Sequence, residues 1–358
     1  MTMQALNRRP AVLNQPVVHP AAWTAADLAA DQSWLHPLTE PEVTELDAAV
    51  GVIEDRGLGI LDITKDDFVV PNLGKRLQAI HEDLIHGRGL AVIRGVPVAR
   101  YTRQQAAVAF WGIGLFMGIP VSQNAKGHLL GHVADLGGTT LANPQNRGYQ
   151  THEALPYHCD ACDVVALLCL HPAKSGGESR IASSLNIYNE MLTRRPGLVS
   201  ELATTIYRDR RNEIPKGKEP WYELPVLNFH EGDLTVSFGG YIYSAKRFKE
   251  LPPRSEALNE ALDVFEELSQ ELAYGMEFRQ GDMQLLHNHV TVHSRTHFED
   301  YPEPGRKRNL LRLWLATPDG RPLPAAYADR YGELEEGVRP AGGITVPGTV
   351  LKAPLYPE

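Results

Sequence analysis

The sequence predicts a mainly β fold with flanking helices, and three observations carry that expectation. Short apolar runs of strand length, bounded by glycine and proline, recur between Gly89 and Leu315. Helical periodicity is confined to a few segments between them. The stretch GDMQLLHNHVTVHSRTHFEDYPEPGRKRNLLRLWL at 281–315 sets histidines and arginines into apolar, strand-like surroundings. A β-sandwich or barrel with helices packed outside accommodates such a pattern. No Pro/Gly linker marks a shift in composition. We therefore read one domain, with an N-terminal helical extension over residues 1–88, a β core over 89–320 and an irregular tail over 321–358.

The elements follow in order. Residues 1 to about 40 are rich in proline and alanine and read as an arm over the core, with a short helix at Ala25–Ala30. Residues 40–55 place Val43, Leu46, Ala49 and Val52 at helical spacing, and 73–85 do the same with Leu77, Ile80, Leu84 and Ile85. Gly87 and Gly89 stop that helix. GLAVIRGVPV at 89–98 reads as a buried strand. Residues 102–117 are apolar nearly all round and read as a buried helix. A strand at 129–135 precedes a long polar loop, 137–152, a common place for substrate contacts. Strands follow at 164–170 and 178–183, with Ser184 as the expected N-cap of a helix over 185–193. Strands and polar loops are expected through 201–250, with runs at 226–229 and 234–238 and the aromatic pair Tyr241 and Tyr243. Residues 255–273 give the clearest helix, capped by Ser255.

Composition limits the function classes. The chain has 358 residues, 43% apolar and 22% charged, ample for a large core, and a net charge of −9. An acidic balance argues against a nucleic-acid surface. No apolar run approaches the eighteen or so residues of a membrane span, and the N-terminus lacks the apolar core of a signal peptide. Three cysteines, Cys159, Cys162 and Cys169, are too few and too odd in number for a disulfide framework. The expectation is a cytoplasmic protein with a small-molecule substrate and no nucleic-acid or membrane partner; a homo-oligomer is compatible with it. Cys159 and Cys162 form a lone CxxC, a poor metal or redox signal without a second pair.

The chemistry is concentrated in two places. Four histidines, His287, His289, His293 and His297, fall within the 281–315 stretch, and a His-rich strand is more often core or surface than ligand. Upstream, His158-Cys159-Asp160 changes the balance. In a strand, residues i and i+2 share a face, so His158 and Asp160 could both reach one metal, with a distant histidine as third ligand. Two imidazoles and one carboxylate on one face of an octahedron form the ligand set of non-haem Fe(II) oxygenases, which need open positions. Arg308 and Arg312, in apolar company, suggest an anion site beside it.

Taken together, LPYHCD at 155–160, SGGES at 175–179, GDMQLLHNHVTVHSR at 281–295 and R-x-x-x-R at 308–312 resemble the Fe(II)/2-oxoglutarate-dependent oxygenases of the taurine dioxygenase and clavaminate synthase-like family. The resemblance runs from about Gly89 to Leu315. It implies a double-stranded β-helix, or jelly roll, and oxidative decarboxylation of 2-oxoglutarate coupled, with O2, to hydroxylation or a related C–H oxidation. It implies His158, Asp160 and His293 as iron ligands, and Arg308, helped by Ser179 after the glycine turn, as the holder of the far carboxylate of 2-oxoglutarate. His287 and His289, which replace the family's usual acid and arginine, read as packing or solvent histidines. Because Asp160 is present where related halogenases carry a small residue, hydroxylation is favoured over halogenation. Arg312 corresponds to a position that meets an anionic substrate group in some members, which implies a small anionic or zwitterionic substrate. Tyr149, with Arg147, Tyr207, Arg210 and Trp221, is a loop candidate for substrate contact. Two alternatives remain at this level: a metal-dependent hydrolase, which leaves Arg308 and Ser179 without a role, and a non-catalytic binding protein of the same fold.

Overall fold

The computed structural model describes residues 8–138, 140–141, 146–332 and 343–358. Two sheets face one another with helices on both outer sides. The larger has seven strands. Six run in the order Leu35–Pro37, Leu90–Arg94, Met283–His287, Val164–His171, Asn309–Ala316 and Ile119–Pro120, and Leu130–Val133 also pairs with Asn309–Ala316. The smaller has four, in the order Tyr274–Met276, Ser179–Ser183, Thr291–Arg295 and Leu155–His158. This is the double-stranded β-helix expected above.

The sequence dictates the layering through its period of two. In Val164–His171, Val164, Ala166, Leu168 and Leu170 face outward into a core shared with the helices Glu40–Asp55, Pro71–His86 and Arg103–Gly114. Val165 faces inward. In Asn309–Ala316, Leu311, Leu313 and Leu315 likewise point to the helices, while Leu310, Trp314 and Ala316 line the inner side. Both faces are covered, which explains why these strands read as continuous apolar runs rather than as alternations. The smaller sheet turns Tyr157, Ala182 and Val292 outward onto the helices Ser184–Arg194, Pro196–Leu202 and Glu256–Glu271.

The N-terminal segment is built into this frame. Its strand Leu35–Pro37 extends the larger sheet in parallel with Leu90–Arg94. Trp23 and Trp34 are buried, and their indole N–H groups donate to the carbonyls of Arg88 and Leu28 at 2.9 and 3.0 Å. Three local expectations change. Ser183, not Ser184, caps the helix at 184–194, because its hydroxyl accepts from the Asn186 N–H at 3.0 Å. Tyr241 and Tyr243, read among strands and polar loops, belong to a short helix, Tyr241–Ser244, and the helix Pro196–Leu202, not expected, begins before the 201–250 region and ends just inside it. In both cases the deciding contacts come from the Phe265 helix and its neighbours rather than from local periodicity.

Candidate active site

The site lies between the sheets. His158 ends its strand and His293 is central in the next, and the two are direct cross-strand partners. Side chains at opposed positions project together, so the imidazole centroids lie 4.3 Å apart. Asp160 enters differently from the sequence expectation. The strand stops at His158, and Asp160 sits in the following turn, where its N–H donates to Asn288 Oδ1 at 3.0 Å instead of to a sheet neighbour. The convergence is nevertheless complete. Asp160 Oδ1 is 4.0 Å from His158 Nε2 and Oδ2 is 3.9 Å from His293 Nε2, and all three donor atoms lie within 4.8 Å of one another.

Protonation suits a cation. His158 Nδ1 donates to the Pro156 carbonyl at 2.9 Å, which leaves Nε2 with its lone pair. Burial, and then His158, push His293 down to about 3, so it is neutral near pH 7. Burial opposes the charge on Asp160, but Arg312 first and then the two imidazoles outweigh it and hold the carboxyl below its usual range. A carboxylate and two imidazoles thus face a common point. Gly239 makes room for this: at φ +151° it packs so closely that an added Cβ would lie 3.1 Å from His158 Cβ.

Three arginines border the same pocket, together with Tyr149, Ser179, Ser294 and Phe278. Arg308 and Arg312, four apart, share the inner face with Leu310. Arg308 is 5% exposed; its backbone N–H meets Asp300, but the side-chain Nη1 is buried with no hydrogen-bond partner among the described residues. Burial pulls its guanidinium down to about 10. Gly177, at φ +72°, lets the glycine turn approach this side chain, since a Cβ there would lie 3.0 Å from Arg308 Nε. Ser179 faces the pocket with its hydroxyl 3.0 Å from Gln284 Nε2. Arg312 is already engaged: its Nε donates to Gln123 Oε1 at 2.7 Å, its Nη1 is 3.7 Å from Asp160, and it lies 4.6 Å from the Tyr149 ring.

The remaining candidates divide. Tyr149 lines the pocket, whereas Arg147 pairs with Glu213 at 2.5 Å and Arg210 with Asp329 at 2.8 Å. Trp221 packs edge-on against Phe248, and Tyr207 lies in a two-stranded ribbon with Glu223. His287 and His289 are not solvent histidines. Both are fully buried, and His289 Nε2 meets the buried Asp163 at 2.7 Å. His297 is exposed and packs edge-on against His152. The CxxC thiols are buried, and burial pushes Cys159 up to about 12, far from a reactive thiolate.

Sequence reasoning missed Arg295, Asn288, Gln123 and Gly239. Arg295 was legible, since it lies two residues beyond His293 and therefore on the same face. It is 6% exposed and donates to the carbonyls of Thr151 and Glu153, tying the long loop to the His293 strand. The other three act through contacts 128, 189 and 81 residues distant in sequence, and nothing local signals them.

Comparison with known proteins agrees with this architecture. The profile described as "Taurine catabolism dioxygenase TauD, TfdA family" matches residues 54–314. FR-33289 synthase of Streptomyces rubellomurinus (strain ATCC 31215) is 33% identical over 336 residues, covering 92% of this chain and 98% of that protein. The taurine hydroxylase-like protein SAT17 of Stachybotrys chartarum is 30% identical over 307 residues, 82% of this chain and 77% of that one. Among solved structures, asparagine oxygenase with Fe(II), 3-hydroxyasparagine and succinate superposes with a TM-score of 0.62 at 18% identity, over 79% of this chain and 94% of that one. The non-haem iron oxygenase OrfP with iron and α-ketoglutaric acid gives 0.57 at 16% identity, over 79% and 94%. No helix among the described residues is long and apolar enough to cross a membrane. With the paired histidines, the carboxylate and the buried arginines in place, the profile match and the relatives establish that the chain belongs to the TauD, TfdA family and is an Fe(II)/2-oxoglutarate-dependent dioxygenase.

Proposed function

We propose that His158, Asp160 and His293 hold Fe(II), that Arg308 with Ser179 holds the far carboxylate of 2-oxoglutarate, and that a small anionic or zwitterionic substrate is hydroxylated in front of Arg312 and Tyr149. The observation that carries the reading is the Arg308 side chain. A buried cation with an unsatisfied N–H costs several kcal/mol in the free protein. It is economical only where an anion arrives to complete it, and a planar guanidinium suits a carboxylate. The donor set fits the metal as well, since a buried carboxylate and two imidazoles bring their donor atoms within 4.8 Å of one another around one point.

When bound, Fe(II) with 2-oxoglutarate and O2 supplies the oxidising chemistry that couples decarboxylation to C–H oxidation. The chain's part is placement. The His158–Pro156 bond fixes the imidazole ring and its tautomer. Asn288 holds the Asp160 backbone, and Gln123 fixes the plane of Arg312. Arg312 keeps Asp160 ionised and turns its remaining donors to the pocket, where an anionic substrate group gains a charge-assisted bond. Leu155, Leu167 and Leu310 wall the site with apolar surface and exclude water. The reading is tested by succinate formation from 2-oxoglutarate in air, with and without a panel of small metabolites. Panel-stimulated turnover that disappears in Asp160→Ala supports it. A wild-type protein that neither binds Fe(II) nor consumes 2-oxoglutarate refutes it.

A further inference from the structure

The two sheets are joined beside the site by a pair of tight crossovers. Residues 159–163 carry the chain from Leu155–His158 in the smaller sheet to Val164–His171 in the larger one. Residues 288–290 carry it back, from Met283–His287 to Thr291–Arg295. The first crossover holds Asp160, and the second leads into the His293 strand. The two meet at Asp163, which is fully buried, as are Asn288, His289 and Thr317 around it.

Asp163 binds three segments at once. Its Oδ1 meets His289 Nε2 at 2.7 Å. Its Oδ2 accepts the Thr317 N–H at 2.8 Å and the Thr317 hydroxyl at 3.2 Å. Its own carbonyl accepts the Asn288 N–H at 2.9 Å, and Asn288 Oδ1 in turn accepts the Asp160 N–H at 3.0 Å. Thr317 directly follows Asn309–Ala316, the strand of Arg312, so this third segment belongs to the larger sheet. A carboxylate suits such a junction because it accepts from several directions. In a buried corner its hydrogen bonds are strong and reinforce one another.

The junction matters to the site because sheet pairing leaves part of the site unfixed. Cross-strand pairing sets His158 against His293. It does not set Asp160, which lies beyond its strand, or Arg312, which lies on the opposite sheet. Yet Arg312 Nη1 stands 3.7 Å from Asp160 Oδ2, and that oxygen stands 3.9 Å from His293 Nε2. Asp163 is three residues from Asp160, His289 four from His293 and Thr317 five from Arg312. Each arm of the junction is thus a short, fully buried lever onto one group of the site.

We propose that Asp163 is a positioning residue. Through His289, Asn288 and Thr317 it pins the two crossovers and the Arg312 strand together, and so fixes where the Asp160 carboxylate stands relative to the two imidazoles and to Arg312. The inference rests on the metal-site reading above and adds to it a residue outside the donor set. It also gives His289 a function, as the partner of Asp163 on the second crossover.

The test is titration of the full-length protein with Co(II), whose visible absorption reports the arrangement of its ligands. Asp163→Asn, His289→Gln and a packing control, Leu168→Ala, are compared with wild type, each with its melting curve. Asp163→Asn is expected to bind Co(II) roughly 10–100-fold more weakly, as when groups that orient metal ligands are lost, and with a shifted spectrum. His289→Gln should do the same to a smaller extent. Leu168→Ala, on the helix side of Val164–His171 and away from the junction, should keep the wild-type affinity and spectrum. Wild-type affinity and spectrum in Asp163→Asn overturn the proposal; if that variant does not fold, His289→Gln decides on the same terms. An equal spectral shift in Leu168→Ala also overturns it, because general loosening of the sheet would then suffice. A wild-type protein that binds no Co(II) refutes the metal-site reading itself, an outcome separate from the others.

Discussion

The two sheets face the same pocket and are built on different terms. The larger is close-packed and apolar on both faces; Val164–His171 and Asn309–Ala316 bury nearly every residue. It contributes Arg312, and Arg308 just before the strand, to the site as isolated charges on an otherwise oily surface. The smaller sheet brings His158, His293, Ser179 and Arg295 to its inner face and leaves packing to its outer one. The larger sheet thus supplies close packing and two buried cations, and the smaller supplies His158 and His293, the two imidazoles of the proposed metal site. Fixed arginines gain selectivity from a low-dielectric wall, while imidazole and carboxylate donors need polar second contacts to orient them.

That division can be broken from either side. The largest effect is expected just beyond the smaller sheet, after the strand Leu155–His158, where Asp160→Ala removes the sole carboxylate of the donor set. Turnover measured as succinate should fall below detection, while the melting temperature falls only modestly, because the favourable charges around the carboxylate are lost together with its burial cost. A reversed pattern, with full turnover and a collapsed melting curve, would make Asp160 a structural residue. Next is Leu168→Ala in the larger sheet, a fully buried side chain opposite Met283 and Leu311. It should cost about 2–5 kcal/mol of stability in denaturant unfolding and leave the KM for 2-oxoglutarate within twofold.

Arg308→Gln should act in the opposite sense. Loss of one charge-assisted contact of about 1.5–3 kcal/mol corresponds to a KM for 2-oxoglutarate raised roughly 10–100-fold, with stability unchanged or improved because a buried unpaired cation is gone. An unaltered KM would place the carboxylate elsewhere, with Arg295 the next residue to test. The smallest effect concerns the N-terminal arm. His19 Nδ1 accepts the Ala21 N–H at 3.0 Å, so the neutral ring keeps its proton on a buried Nε2. Burial, with Arg321 and Arg8 nearby, pushes His19 down to about 3. The folded form therefore binds fewer protons than the unfolded one between about pH 3 and 6.5. The stability associated with the neutral ring is present above pH 6.5 and is lost as pH falls towards 3. His19→Gln should flatten part of the decline in melting temperature over that window; an identical slope in wild type and variant would assign the decline to other groups, such as the equally depressed His293.

Much of this was legible in sequence because it is local. Strand runs, the helices at 40–55 and 256–271, the His158-x-Asp160 spacing and the same-face pair Arg308 and Arg312 follow from periods of two and 3.6 and from residue chemistry. Which of four histidines joins His158 was settled only by the resemblance, and the reason becomes visible in the register: His293 is the one opposite His158, while His289 is drawn away by Asp163. The rest was decided in three dimensions. Asp160 is set by Asn288, Arg312 by Gln123, and His158 by the space that Gly239 leaves. Sequence periodicity determines which face a side chain takes; only the packing of distant segments determines whether a buried charge finds its partner or waits for a ligand.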